Sequence, residues 1–493
     1  MEYNKCLDHI HQAEENIWVD CINTYQVNGR FCEWITSLHP KKLLCCLDGG
    51  FMNGSYNLCQ KFLFEDGTSW ILRFPRPVNV RYDYADEKVA MEVEALKLIR
   101  EQTTIPVPEV KEWGLADENP FGLGPFIIMD FIEGVRLRDM LTDEGGLLKK
   151  DVPETVIETT YRQMVNILLQ LWKIDFEHIG SLPTPKTQYP APIRPLTWKA
   201  HEILQTGGPN TFGDRTQGFS TTSEYFQNTI EQDRQQLRHQ PNSVTGDLNA
   251  ENRYASLEIL KSLIPQFVNP QYDQGPSKLI CDDFGLANII VRSPDDLTIV
   301  GVIDLEWVYA GPAQLFGSAP WWLLYDRPLN EDWDVQGGQF PEPIERYAKC
   351  LQIFKRVLAE EESKLLGHPS GLSELVQWSE TSGAMWFHML ASGGFFDTFT
   401  APCRKLEEQF GFQQWRDRVD EMGETEEVKT FVAQKVRELE LYDEDVEKVE
   451  QLKAQMDSGE ISREEFVAAA SAVPATEGIV TKTQWLHQLG VGP

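Results

Sequence analysis

The sequence contains no run of about 18 apolar residues, the length that a membrane-spanning helix needs. Its first residues, MEYNKCLDHIHQAEENIW, are charged and lack the apolar segment of a signal peptide. We therefore expect neither secretion nor a membrane span.

Cysteine and histidine patterns are equally sparse. The nine cysteines are scattered without any C-x-x-C pair, which argues against a disulfide framework or a zinc site. The nine histidines show no H-E-x-x-H spacing, so a transition-metal enzyme is not indicated. Free thiols of this kind fit a reducing, cytoplasmic location.

Basic residues are few compared with acidic ones: 45 Lys and Arg stand against 76 Asp and Glu, a formal net charge of −31. Such a surface repels nucleic acid and anionic membranes, so we expect neither as a partner. It suits a cationic small-molecule substrate, although acidic surfaces often serve only solubility.

The most informative pattern is LICDDFGLANIIV, residues 279–291, followed by VIDLEW, residues 302–307. Each segment joins an apolar strand to polar residues: Asp283 and Asn288 in the first, Asp304 in the second. Phosphoryl transfer needs a carboxylate that accepts the proton of the attacking hydroxyl and oxygen ligands for magnesium. Asp283 fits the first role, and Asn288 and Asp304 fit the second. The alternative is that Asp283 and Asn288 only cap a turn.

These two segments, with VIDLEWVYAGPAQLFGSAPWWLL read as one string, resemble the aminoglycoside phosphotransferase-like family, in particular its fungal branch. The resemblance implies an α+β, bilobal protein kinase-like fold with a small antiparallel-sheet N-lobe and a larger, mainly helical C-lobe. It also implies ATP and Mg²⁺ as cofactors. The wider family has His-Gly-Asp where this chain has Cys281, Asp282 and Asp283; the fungal branch frequently has Cys-Asp-Asp.

Upstream, residues 42–75 read as three strands with a glycine-rich turn after the first and an Asp66-Gly67 hairpin turn before the third. The glycine-rich turn could let backbone amides approach ATP phosphates, although an ordinary hairpin loop fits equally well. Its candidate cofactor-binding residues are Gly49, Gly50, Asn53, Gly54 and Ser55. Arg73, at the end of the third strand, occupies the place where protein kinases have a phosphate-binding lysine.

A helix is predicted over residues 86–102, where apolar residues recur at helical spacing. The resemblance aligns Glu92 with the glutamate that pairs with the strand cation; the alternative is a solvated glutamate. Residues 125–137 then read as a strand and a hinge. Backbone groups from Met129 to Phe131 are expected to bind an adenine ring, although a buried strand without a ligand fits the same residues.

We divide the chain into an N-terminal helical extension (1–40), an N-lobe (41–132), a C-lobe (133–420) and a charged C-terminal helical extension (421–493). The segment 205–223 is rich in small and polar residues and predicts a mobile loop, either covering the substrate or lying on the surface. In the C-terminal extension, Ser462 and Glu465 predict a helix capping box, and the residues before them do not fit a calcium loop.

The sequence thus indicates an ATP-dependent phosphotransferase that acts on a hydroxyl of a small molecule. Two alternatives stay open. One is a non-catalytic nucleotide-binding or scaffold protein, suggested by Arg73, Cys281 and the irregular glycine turn. The other is a nucleotidyl transferase of the same fold, which would release pyrophosphate instead of ADP.

Overall fold

The computed structural model describes residues 4–182, 184, 193–213, 215–330, 333–335, 339–366, 371–393 and 396–473. These residues form a small lobe built on an antiparallel sheet and a larger, mainly helical lobe. Among the helices of these ranges, none is long and apolar enough to cross a membrane.

The strands, in chain order, form three antiparallel sheets. The strands are β1 Cys45–Leu47, β2 Met52–Asn53, β3 Asn57–Phe64, β4 Ser69–Pro75, β5 Val110–Gly114, β6 Phe126–Asp130, β7 Val135–Arg136, β8 Asp175–Phe176, β9 Ser277–Cys281, β10 Ile289–Ser293, β11 Asp296–Val302 and β12 Val308–Pro312. The N-lobe sheet has the order β1-β3-β4-β6-β5, with β2 also paired to β3. The two small C-lobe sheets have the orders β11-β10-β7 and β12-β9-β8.

Most of the described helices belong to the C-lobe or to the two ends of the chain. They are α1 Lys5–Val27, α2 Arg30–Leu38, α3 Tyr82–Gln102, α4 Leu137–Leu141, α5 Glu154–Leu171, α6 Trp198–Gln205, α7 Thr222–His239, α8 Asp247–Phe267, α9 Ala313–Phe316, α10 Glu342–Leu366, α11 Leu372–Thr381, α12 Ala384–Ser392, α13 Ala401–Phe410, α14 Phe412–Gly423, α15 Glu426–Ser458 and α16 Arg463–Ala470.

The N-lobe sheet differs from the expected three strands over residues 42–75 by one short strand. Within the glycine-rich turn, Met52 pairs with Cys59 and Asn53 pairs with Leu58, so the turn contains β2. Helix α3 also begins four residues earlier than predicted. Its start is fixed by distant contacts: the Arg81 amide donates to His201 Nε2 (3.1 Å), and the Tyr84 ring packs against Phe212.

The two ends of the chain pack on each other and on both lobes. The first half of α1 lies against α15 and α16, where Cys6, Ile10, Tyr442 and Phe466 share one buried cluster. The second half of α1 packs on the N-lobe sheet. The boundary expected after residue 420 falls inside α14, and α14 and α15 contribute to the same core as α7 and α8. Ser462 and Glu465 form the predicted capping box.

The predicted loop, described at residues 206–213 and 215–221, is anchored on the N-lobe through Arg215. Arg215 donates to both carboxylate oxygens of Glu87 on α3, with Nη1 to Oε2 at 2.7 Å. The Glu87 side chain is almost completely buried. The segment therefore packs against the start of α3.

Candidate active site

Asp283 and Asn288 lie in the loop between β9 and β10. The apolar strand β9 is held between β8 and β12, so the loop that follows it has a fixed starting point. Asn288 Nδ2 donates to the Asp283 carbonyl oxygen (2.9 Å) and to its carboxylate Oδ2 (3.3 Å). The Asp283 side chain is 46% exposed, which leaves the carboxylate accessible from the cleft.

Asp304 is brought next to this loop by the hairpin of β10 and β11. Ile289 pairs with Val302 in the hairpin, and the Ile303 amide donates to the Asn288 carbonyl oxygen at 3.0 Å. Asp304 itself has a φ of 61°, a left-handed conformation that is uncommon outside glycine and concentrated at functional sites. The structure therefore places Asn288 and Asp304 at the same end of one hairpin.

Arg73 on β4 joins both lobes through carboxylates. Its Nη1 contacts Glu92 Oε1 on α3 at 2.7 Å, and its Nη2 contacts Asp304 and, at 3.2 Å, Glu306 Oε2. Burial alone would lower the pKa of the guanidinium, but the nearby carboxylates of Asp304, Glu92 and Glu306 raise it above its usual range. Burial raises the pKa of Glu92, and the charge of Arg73 opposes that shift. Glu92 is thus a buried partner of Arg73 and not a solvated helix residue.

Lys88 is a site residue that the sequence analysis missed. Its side chain is completely buried, and Nζ contacts Glu306 Oε2 and lies 3.4 Å from Asn57 Oδ1. The ammonium also lies 5.3 Å from the centroid of the Trp307 ring, within cation–π range. A signal was present: Lys88 precedes Glu92 by four residues, so both side chains lie on the same face of α3.

Glu306 is the shared partner of Lys88, Arg73 and Asn57. Asn57 Nδ2 on β3 donates to its Oε2 at 2.9 Å. Burial alone would raise the pKa of Glu306, but Lys88 and Arg73 lower it below its usual range. Because Glu306 contacts residues of β3, β4 and α3, it ties the segment after Asp304 to the N-lobe.

The glycine-rich turn has its tip at residues 54–57, where the Gly54 amide donates to the Asn57 carbonyl oxygen at 2.9 Å. A Cβ atom added at Gly49 or Gly50 would meet no atom within 4 Å, so both glycines border open space. Asn53 lies in β2, and Ser55 lies at the tip. The Gly54 amide is therefore used inside the turn and is not free for a phosphate.

Tyr56, at the same tip, contacts the C-lobe. Its hydroxyl donates to Glu202 Oε1 (2.8 Å) and accepts from Trp198 Nε1 (2.6 Å), both on α6. Its ring packs edge-on against Trp307, with the centroids 5.5 Å apart. The tip of the turn is thus fixed to helix α6.

The expected adenine hinge requires a correction. The Asp130 amide donates to the Glu109 carbonyl oxygen and the Phe131 amide to the Ser69 carbonyl oxygen, both at 3.0 Å. These two donors are used by the sheet and are not free for an adenine ring. The Met129 side chain is buried against Val89 and Val93 of α3, at the inner end of β6.

A second carboxylate, Asp282, lies beside Asp283 but has different partners. Its Oδ2 accepts from the Trp198 amide at the start of α6 (3.0 Å), and its Oδ1 accepts from the Tyr309 hydroxyl (3.3 Å). Burial raises the pKa of Asp282 to about 6, and desolvation by the surrounding protein raises the pKa of Asp283 to about 6 although its side chain is 46% exposed. Arg327 opposes the shift at each. Only Asp283 is left with carboxylate surface open to the cleft.

A kinase-like, two-lobed fold with an aspartate and asparagine loop, a following aspartate and a buried Arg–Glu pair is typical of phosphotransferases. The chain belongs to the phosphotransferase enzyme family APH, whose family model matches residues 59–339. No curated protein is similar enough in sequence to count as a match.

Solved structures similar to this chain include three kinases or phosphotransferases. A putative fructosamine-3-kinase from Thermobifida fusca is 12% identical, with a TM-score of 0.39, covering 80% of this chain and 98% of that one. A type I macrolide 2'-phosphotransferase is 13% identical, with a TM-score of 0.36 and coverages of 83% and 96%. A macrolide 2'-phosphotransferase from Brachybacterium faecium is 14% identical, with a TM-score of 0.34 and coverages of 79% and 97%.

Proposed function

We propose that this protein is an ATP-dependent kinase that transfers the γ-phosphoryl group to a hydroxyl of a small molecule. The observation that carries the proposal is the contact of Asn288 with Asp283 in a loop that the β10–β11 hairpin joins to Asp304. Family membership supports the reaction class.

Asp283 acts as the catalytic base. Its carboxylate accepts the proton of the acceptor hydroxyl as the hydroxyl oxygen bonds to the γ-phosphorus. The bond between the γ-phosphorus and the bridging oxygen breaks, and ADP leaves with that oxygen. The hydrogen bond from Asn288 Nδ2 orients the carboxylate, and exposure to the cleft lets the acceptor reach it.

The oxygen atoms of Asn288 and Asp304 fit a magnesium site. Asn288 donates only through Nδ2, and in the described part of the chain no group donates to its Oδ1. Magnesium is commonly held by one or two protein oxygen ligands together with substrate phosphates. When bound there, the ion neutralises charge on the transferred phosphoryl group. Asp304 must then exchange its contact with Arg73 for the ion.

Arg73 binds the α- and β-phosphates, because a guanidinium can donate two parallel hydrogen bonds to phosphate oxygens. Glu92 holds Nη1 in place while Nη2 moves from Asp304 to the nucleotide. Gly49 and Gly50 border the open space above, and the exposed Asn53 and Ser55 lie in the same turn, so these four residues face the nucleotide phosphates.

The test is ADP release by purified full-length protein with Mg²⁺, ATP and a panel of hydroxylated acceptors. Wild type is compared with Asp283→Ala and Asp304→Ala, and with Asp295→Ala as a control, since Asp295 is exposed in the turn between β10 and β11. We expect acceptor-dependent ADP release that both site variants abolish and the control retains.

Three results would contradict the proposal. Absence of magnesium-dependent ATP binding would favour a scaffold, and release of pyrophosphate in place of ADP would identify a nucleotidyl transferase. ATP binding without turnover by any acceptor would overturn the hydroxyl kinase reaction for the classes tested.

A further inference from the structure

Beside the catalytic loop, and among the residues that the structure describes, Arg327 is a cation with unused hydrogen-bond donors. Arg327 contacts the catalytic loop only through Nη2, which donates to the Asp282 carbonyl oxygen and lies 3.6 Å from Asp283 Oδ1. No acceptor in the described ranges contacts its Nε or Nη1. Three of the five guanidinium N–H donors are therefore open.

Two tryptophans hold this guanidinium in place. The Arg327 Cζ atom lies 4.2 Å from the centroid of a Trp321 ring and 5.1 Å from that of a Trp198 ring. Both distances are within cation–π range, and the side chain is only 17% exposed. A partly buried guanidinium fixed between indoles loses little conformational freedom when it binds a planar anion.

Arg327 also lines a cavity of about 140 Å³ beside the catalytic loop. Asp282 and Phe284, the two neighbours of Asp283, lie on its wall, and most of the other lining side chains are apolar. An engineered apolar cavity of about 150 Å³ binds benzene, so this space is large enough for one ring or a short alkyl chain.

Among the described residues of the cavity wall, the one carboxylate already has a partner at each oxygen. Asp282 uses Oδ2 for the Trp198 amide and Oδ1 for the Tyr309 hydroxyl. His388, also on the wall, is bonded through its two ring nitrogens to Gln314 and Ser318, and burial keeps it neutral by lowering its pKa to about 3. The charges at the cavity thus oppose the cationic acceptor that the net charge of the chain suggests.

From this geometry we infer that the acceptor is a hydroxylated anion with an apolar body: Arg327 binds its carboxylate, the cavity takes its ring or alkyl chain, and its hydroxyl faces Asp283. The inference rests on the proposed function for the identity of the base. Because Arg327 Nη2 lies 3.6 Å from Asp283 Oδ1, a carboxylate bound by the open Nη1 of the same guanidinium and a hydroxyl that faces Asp283 are close enough to be carried on adjacent carbon atoms.

The experiment compares three probes that share a phenyl ring and a hydroxyl: 3-phenyllactate, its amide, and 2-amino-3-phenylpropan-1-ol. Calorimetric titration into full-length protein measures binding without ATP, and ADP release measures kcat/KM for each probe. We expect the acid to exceed the amide by about tenfold or more in both measurements, the size of a charge-assisted hydrogen bond.

The variants are Arg327→Gln, Arg327→Lys and, as a matched control, the exposed Arg292→Gln. Because Arg327 also touches the catalytic loop, the diagnostic quantity is the acid-to-amide ratio and not the absolute rate. We expect Arg327→Gln to reduce the ratio to near one, Arg327→Lys to keep part of it, and Arg292→Gln to leave it unchanged.

Measuring binding and turnover separately distinguishes a failure of this inference from a failure of the proposed kinase reaction. Saturable binding of the acid that depends on Arg327, without ADP release, upholds the inference and contradicts the proposed reaction. ADP release with the amine preferred, an unchanged ratio in Arg327→Gln, or no saturable binding of the acid overturns the inference, whichever way the kinase assay turns out.

Discussion

At the residue scale, the protonation state of Asp283 sets the pH dependence of kcat/KM. Burial raises its pKa to about 6, and a base acts only when deprotonated, so kcat/KM should rise with pH through about 6 and then level off. The Asp283→Asn variant should be about 10²–10⁴-fold slower, and its kcat/KM should no longer show the acidic limb, the rise with pH through about 6. The check is kcat/KM between pH 5 and 8 with a fixed acceptor.

Asp282→Asn is the matched control, because the pKa of Asp282 is also raised to about 6. If Asp283 is the base, this variant keeps the acidic limb. A limb that vanished in Asp282→Asn and persisted in Asp283→Asn would assign the base to Asp282.

Lys88 and Glu306 should behave as a coupled buried pair. Removing the cation with Lys88→Met leaves Glu306 buried without its closest charge partner, which costs about 3–5 kcal/mol of unfolding free energy. Adding Glu306→Gln should recover part of that loss, since the amide can keep a hydrogen bond with Asn57. Urea unfolding of the two single variants and the double variant measures the coupling.

Lys97→Met is the control on the same helix, where an exposed lysine pairs with Glu94 and its loss should cost less than about 1 kcal/mol. Additive losses in the Lys88 and Glu306 variants would show that the two side chains act independently.

Sequence patterns could predict some residues of this site and not others, and the difference has a physical reason. Asp283, Asn288 and Asp304 sit beside strands whose apolar runs are local signals, so their order along the chain indicates a loop and a hairpin. The contact between Lys88 and Glu306 joins residues far apart in sequence, and no local periodicity specifies it. The sequence could not show that the amides of Asp130 and Phe131 are unavailable to adenine, because their hydrogen bonds depend on the neighbouring strands β4 and β5.

At the element scale, α6 and the loop residues 206–213 and 215–221 connect the lobes beside the site. The Trp198 amide at the start of α6 donates to Asp282, and Tyr56 of the glycine-rich turn contacts Trp198 and Glu202 on the same helix. Helix α6 therefore couples the position of the turn to that of the catalytic loop. The composition of the segment after α6 predicts a mobile loop. It could not reveal the contact of Arg215 with Glu87, because that contact has no signature in the local sequence.

The Arg215–Glu87 pair should hold the loop residues 206–213 and 215–221 against α3. Arg215→Gln leaves a buried carboxylate with fewer charged partners, so amide exchange in this segment should accelerate by about tenfold or more, the effect of losing charge-assisted hydrogen bonds. Hydrogen exchange followed by mass spectrometry measures this. Arg292→Gln serves as the control, and equal exchange in both variants would show that the pair does not hold the segment.

At the scale of the whole molecule, the chain ends act as one structural unit. Phe466 is fully buried where α16 meets α1, so Phe466→Ala should cost about 3–5 kcal/mol locally and expose both helices to exchange. Leu441→Ala on α15 replaces an exposed side chain and should change stability by less than about 0.5 kcal/mol. Faster exchange in α16 with α1 unaffected would contradict a shared unit.

The contact of Arg73 with Asp304 has a thermodynamic consequence for cofactor binding. In this structure the aspartate proposed for the metal is neutralised by the cation proposed for the phosphates. A nucleotide that draws Arg73 away frees Asp304 for the ion, and an ion that takes Asp304 frees Arg73 for the nucleotide. Linkage then requires ATP and magnesium to raise each other's affinity by the same factor, so the resting protein binds either one alone weakly and the pair cooperatively.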